Sequence, residues 1–129
     1  MIERVAYDTR QIHLAHEVMF VALAGERRDG HNYIKKAYDA GVRAFLIHRN
    51  IDTSIFGGSI FIIVEDTLAS LQILAAAHRQ RFDVPVIGIT GSNGKTIVKE
   101  WLFQLLNEDF NIIRSPKSYN SQIGVPLSI

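Results

Sequence analysis

The segment from about Val86 to Trp101 limits what this chain can fold into more than any other. The apolar run Val86 to Thr90 reads as a strand buried on both faces. It leads into Gly91-Ser92-Asn93-Gly94-Lys95-Thr96, and a helix apolar at Ile97, Val98, Trp101, Leu102 and Leu105 is expected to follow as far as about Leu106. Strand, glycine-rich turn and helix, in that order, are the parts of a triphosphate-binding loop. Gly91 and Gly94 permit backbone angles closed to other residues and let the main chain approach phosphate oxygens. The amides of Gly94, Lys95 and Thr96 point at the anion with the helix dipole behind them. Lys95 is placed to reach the β and γ phosphates, and the Thr96 hydroxyl to ligate Mg²⁺. The general motif has four residues between its two glycines, whereas here five separate Gly88 from Gly94 and two separate Gly91 from Gly94. The alternative for a bare Gly-Lys-Thr string, a helix start with an exposed lysine, does not explain the apolar flanks. ATP is the expected nucleotide, since the chain has no N-K-x-D guanine signature.

Upstream, short strands are expected at Arg4 to Tyr7, Val18 to Leu23, Ala44 to His48 and Ser59 to Val64. A polar loop, Asp8 to Glu17, separates the first two. One helix should run from about Asn32 to Ala40, with Ile34, Ala37 and Tyr38 buried and Gly41 as its stop. Another, capped by Asp66 or Thr67, repeats Leu68, Leu71, Ala75 and His78 at helical spacing up to about Arg81. Strands alternating with helices predict an α/β fold. At Asp83-Val84-Pro85 the pattern restarts, because a proline disfavours helix in the residue before it. The expected division is therefore residues 1–83 and 84–129, the second part also carrying a strand at Asn111 to Arg114.

The chain has 129 residues, of which 47% are hydrophobic, enough for one small domain with a core and part of another. Fourteen basic and thirteen acidic residues give a formal charge of +1, so no basic stripe points to nucleic acid. The absence of cysteine excludes disulfides and thiolate metal sites. With no secretory leader and no long apolar run, a cytoplasmic protein without a membrane span is expected.

The loop spelling and its flanks resemble the Mur ligase family, whose loop reads T-G-(T/S)-(N/S)-G-K-(T/S). Asp8-Thr9-Arg10, Met19-Phe20-Val21-Ala22-Leu23-Ala24-Gly25 and Arg28-Asp29-Gly30-His31-Asn32-Tyr33-Ile34 are similar, in order and spacing, to that family's N-terminal signatures. Tyr119-Asn120-Ser121-Gln122-Ile123-Gly124-Val125-Pro126-Leu127 resembles the segment found in members that join D-alanyl-D-alanine to UDP-N-acetylmuramoyl-tripeptide, and its wording is most like members fused to an alanine racemase.

The resemblance implies a uridine-binding N-terminal domain over residues 1–83, lacking its first elements, and the opening of a parallel-sheet ATPase domain over 84–129. It also implies an ATP- and Mg²⁺-dependent ligase of peptidoglycan precursor synthesis. Gly91, Ser92, Asn93, Gly94, Lys95 and Thr96 would bind ATP, Lys95 and Thr96 would act in catalysis, and Thr96 would hold the metal. Thr9, Arg10, Gly25, Glu26, Arg27, Arg28, Asn120 and Ser121 would contact the UDP-linked substrate. Ser121 stands where the family has a second asparagine. The alternatives are the family member that adds the third peptide residue, a non-catalytic module binding a UDP-sugar, and, more distantly, a folate polyglutamylating ligase. His31 is expected to fix a turn, His78 to sit packed or hydrogen-bonded on a helix, and Trp101 and Phe103 to pack. No zinc is expected. The chain by itself should not turn over substrate.

Overall fold

Four apolar runs too short for helices become strands: β1 (Arg4–Ala6), β2 (Val18–Val21), β3 (Ala44–Ile47) and β4 (Ile60–Ile63). Each lies within two residues of its expected limits. The computed structural model describes residues 2–25, 28–116, 119 and 121–128. The strands form one parallel sheet in the order β1-β2-β3-β4, with Ala6 beside Phe20, Phe20 beside Phe45 and Phe45 beside Phe61. A parallel pair needs a crossover between its strands. The polar loop after β1 supplies one through two 3₁₀ turns, Thr9–Gln11 and Ala15–Glu17. Between β2 and β3 the crossover is a 3₁₀ turn, Gly30–Tyr33, running into helix α1 (Ile34–Asp39).

Alternation along the strands sorts the core. Ala6, Val18, Phe20, Ala22, Phe45 and Ile47 share one face and pack with Ile34 and Ala37 of α1, Val42 and Phe56. Aromatic rings fill much of this layer. Phe45 stacks on Phe61 at 4.9 Å and meets Phe20 edge-on at 6.4 Å, while Tyr38 meets Phe56 at 5.3 Å. Such pairs each add about 0.5–1.5 kcal/mol beyond burial. Helix α1 stops where expected: Gly41 adopts φ +104°, and the Gly41 and Val42 amides donate to the Tyr38 and Ala37 carbonyls. This is the paired hydrogen-bond pattern of a glycine-terminated helix.

Helix α2 (Thr67–Arg79) is capped by Asp66, whose Oδ1 accepts from the Leu68 and Ala69 amides at 2.7 and 3.0 Å. Buried Thr67 instead donates its hydroxyl to the Ala22 carbonyl at 3.0 Å, which fixes the start of α2 to the exit of β2. The chain divides into two compact units, Met1–Leu71 and Gln72–Ile129.

In the second unit, helix α3 (Lys95–Leu106) ends at the expected residue. The expected strands Val86 to Thr90 and Asn111 to Arg114 do not form. Both segments lie outside every ladder, with Val86 67% and Ile113 92% exposed. A strand exists only where a neighbour takes its N–H and C=O groups, and among the described residues all the ladders belong to β1–β4. The apolar stripe of α3 is present at helical spacing but uncovered, so Trp101 is exposed rather than packed. Phe103 is half-buried beneath the Arg114 guanidinium, 3.9 Å from its ring centre. His78 is exposed too: the stripe of α2 is buried at Leu71 and Ala75 and no further, leaving the His78 ring edge-on to Phe82 at 5.1 Å.

Candidate functional site

All four strands run the same way, so their C-terminal ends share one edge of the sheet, the edge where open α/β sheets gather ligands. Four loops leave it. From β1 comes Asp8-Thr9-Arg10, closed on itself. Asp8 Oδ1 accepts from the Arg10 amide at 2.9 Å and from Arg10 Nε at 3.0 Å, and Oδ2 accepts from Nη2 at 2.6 Å. The side-chain hydrogen bonds from Arg10 lower the Asp8 pKa to about 2, so the pair is zwitterionic at any ordinary pH. The Arg10 guanidinium faces solvent with its charge already matched, which suits ordered donors facing a neutral, hydrogen-bonding group such as a base better than a phosphate.

From β2 comes the turn between Ala24 and Asp29, closed by a bridge between those two residues. The Gly25 amide donates to the Arg28 carbonyl at 2.8 Å, and the Gly30 amide to the Leu23 carbonyl at 2.7 Å. Gly25 and Arg28 are exposed. Glu26 and Arg27 lie outside the described residues. The structure thus brings Thr9 and Arg10 onto the same edge as Gly25 and Arg28, from adjacent strands.

From β3 comes His48-Arg49, which spacing alone did not single out. Arg49 Nη2 donates to Asp29 Oδ2 at 2.8 Å. Asp29 Oδ1 accepts from both the His31 amide (2.8 Å) and the His31 ring Nδ1 (2.7 Å). Burial opposes the charge on Asp29, but the bonds from His31 and the charges around it outweigh burial and hold its pKa below the usual carboxylate value. His31 fixes its turn, as expected, and is itself buried. The Asp29–Arg49 pair was invisible beforehand because it depends on the parallel register of β2 and β3, not on sequence spacing.

The second unit holds the glycine loop. Gly91 and Gly94 take φ +141° and +77°, the conformations for which glycine is needed. Gly94 stands at the N-cap of α3 with no side-chain capping bond, and the first turn has no acidic residue. The Val98 amide is the first to bond back, to the Gly94 carbonyl at 2.9 Å, so the amides of Lys95 and Ile97 open the helix ahead of its i to i−4 ladder. They constitute a positive helix end on an exposed loop. Lys95 curls back over it, its Nζ donating to the Gly91 carbonyl and lying 3.4 Å from that of Ser92. The ammonium is thereby held above the turn instead of extending into solvent.

Ser121 accepts at Oγ from the Gly124 amide at 2.9 Å, fixing the bend before the 3₁₀ turn Pro126–Ser128. Asn120 lies outside the described residues.

Residues 2–89 match the family model described as "Mur ligase family, catalytic domain"; the match ends before the glycine loop. The chain is 39% identical over its whole length to the UDP-N-acetylmuramoyl-tripeptide–D-alanyl-D-alanine ligase of Bacillus subtilis and 40% identical over 99% of its length to that of Synechocystis. It spans 28% of each of those relatives. Among solved structures it resembles the MurF ligase of Thermotoga maritima in complex with ADP, with TM-score 0.81 and 32% identity, covering 97% of this chain and 28% of that one.

Proposed function

The chain belongs to the Mur ligase family, and from that premise we propose that it is the UDP-substrate-binding and phosphate-loop portion of an ATP-dependent ligase. That ligase joins D-alanyl-D-alanine to UDP-N-acetylmuramoyl-tripeptide in peptidoglycan precursor synthesis. The observation that carries this reading is identity of 39% and 40% to two ligases of that name along essentially the whole chain. Two features support it: a parallel sheet edge that gathers Thr9, Arg10, Gly25 and Arg28, and a glycine loop whose lysine folds back over the first turn of a helix. The domain limits we propose are residues 1–83 and 84–129.

In the proposed reaction a carboxylate oxygen of the tripeptide attacks the γ-phosphorus of ATP and ADP leaves. The dipeptide amine then attacks the acyl carbon of the resulting acyl phosphate. Phosphate departs, a proton is lost and an amide remains. Such a transfer depends on positioning and on neutralising charge. Gly91, Ser92, Asn93 and Gly94 would cradle the phosphates with their backbone, and Lys95 would place a positive charge against the oxygens of the transferring group.

Mg²⁺ fits the loop in one way. Among the described residues no three carboxylate or imidazole groups converge to cage a metal. The Thr96 hydroxyl, in the first turn of α3, suits an ion that keeps most of its waters and its phosphate ligands, and the charge of that ion would offset the charge of the triphosphate. Thr9, Arg10, Gly25, Glu26, Arg27 and Arg28 would contact the uridine diphosphate part, with Asn120 and Ser121 toward the muramoyl phosphate. Among the described residues no helix is long and apolar enough to cross a membrane. We place the ligase in the cytoplasm, where ATP is supplied, and propose a fused alanine racemase on the wording of Tyr119 to Leu127.

A chimera tests the reading. This chain, substituted for the matching segment of the Bacillus subtilis ligase, should restore ATP-dependent phosphate release with UDP-N-acetylmuramoyl-tripeptide and D-alanyl-D-alanine, while the chain alone should release none. A folded chimera that instead accepts UDP-N-acetylmuramoyl-dipeptide and a single amino acid would assign the chain to the third-residue ligase.

A further inference from the structure

Asp29, His31 and Arg49 form a closed network whose proton positions can be deduced. The His31 ring presents Nδ1 to Asp29 Oδ1 at 2.7 Å and Nε2 to the His48 amide at 3.3 Å. A backbone N–H can only donate, so Nε2 must carry a lone pair; the single ring proton of a neutral imidazole then sits on Nδ1, aimed at the carboxylate. The His31 side chain is 2% exposed and meets the His48 ring edge-on at 4.4 Å. Through this ring the end of the Ala24–Asp29 turn, the Gly30–Tyr33 turn and the exit of β3 are tied together.

We propose that His31, as the neutral Nδ1–H imidazole, is a positioning residue for the uridine site: it clamps the Asp29 end of the Gly25–Arg28 turn to the main chain that follows β3. The inference rests on reading that turn as part of the uridine site. His31 touches no ligand in this scheme and acts through the turn it holds. The charged and titratable groups around the ring are Asp29 on its own loop and His48 and Arg49 from the exit of β3. Protonation would set an Nε2–H against the His48 N–H, donor against donor, and add a positive charge near Arg49; Asp29 alone favours it. Burial is the largest influence and pushes the His31 pKa below its ordinary value despite Asp29. With the folded pKa below the unfolded one, the clamp contributes fully to stability above the unfolded value of about 6.5, and the contribution is lost as pH falls through the lowered folded value.

The test uses the 129-residue chain, nitrogen-15 spectra of its imidazoles, and UDP titrations of the native chain and the variants His31→Asn and His31→Gln. Asparagine retains a donor near Nδ1 and glutamine a polar end near Nε2, so each preserves half of the clamp. The expected native spectrum is the Nδ1–H tautomer, persisting below the ordinary imidazole value of about 6.5. Each variant should bind UDP about fivefold or more weakly while remaining folded, the loss of one hydrogen bond's worth of order in the turn. An Nε2–H tautomer, or a His31 titrating at or above the ordinary imidazole value of about 6.5, would overturn the clamp. So would folded variants with lowered melting temperatures and unchanged UDP affinity, which would make His31 structural only. Failure of the native chain to bind UDP would instead overturn the uridine reading and the ligand half of this proposal with it, while the tautomer spectrum would still decide the clamp.

Discussion

Replacing Lys95 by alanine should weaken Mg-ATP binding roughly ten- to a hundredfold and leave UDP binding unchanged. The size follows from a charge-assisted hydrogen bond to phosphate, worth about 1.5–3 kcal/mol, with tenfold in affinity for every 1.4 kcal/mol. The position follows from the loop: Lys95 opens α3, follows Gly94 at φ +77° and holds its Nζ over the Gly91 carbonyl. The residues proposed to contact uridine diphosphate belong to the other compact unit, so their ligand should not register the change. Calorimetric titration of native and variant chains with each nucleotide measures both effects. Equal ATP affinity in the two chains would remove Lys95, and with it the phosphate-loop assignment, from the account.

The second large effect is on stability. A Cβ built on Gly30 would lie 2.7 Å from the Leu23 nitrogen and 2.8 Å from both the Ala22 Cα and the Leu23 oxygen. These are backbone atoms at the exit of β2, where the Gly30 amide bonds the Leu23 carbonyl and the Ala22 carbonyl accepts from Thr67. Nothing there is a flexible side chain that can swing aside. Gly30→Ala should therefore cost about 3 kcal/mol, the upper end of ordinary overpacking. It should also weaken UDP binding by displacing the turn. Gly57 is the control, with open space around it and no contact within 4 Å of an added Cβ, so Gly57→Ala should stay within about 0.5 kcal/mol of the native chain. Chemical denaturation of the three chains decides between them; a Gly30→Ala chain as stable as native would mean that the β2 exit is looser than its contacts indicate.

The two units differed in how far they could be read from sequence. In the first, β2 and β3 are continuous apolar runs bounded by polar turns, Ile34 and Ala37 share a helical face, and Gly41 ends α1, so local chemistry and the final packing agree. The Asp8–Arg10 closure is likewise local, since an aspartate accepting from the amide two residues on is a common turn device. The Asp29–Arg49 pair and the Thr67–Ala22 bond are not local; they appear only once parallel register and helix placement set distant residues side by side. In the second unit Val86 to Thr90 has the composition of a buried parallel strand, but composition gives a segment no partner, and it runs exposed. The glycine loop survives that difference because its chemistry depends on Gly91, Gly94 and the first turn of α3, all of which are formed.

Calorimetric titration of the native chain with UDP-N-acetylmuramoyl-tripeptide, with UDP alone as the second titrant, decides whether this chain holds a uridine ligand. The expected result is saturable binding of both, tighter for the full precursor, with no ATP hydrolysed. A folded chain that binds Mg-ATP yet neither uridine ligand would contradict it, leaving the edge formed by Thr9, Arg10, Gly25 and Arg28 without the role proposed here.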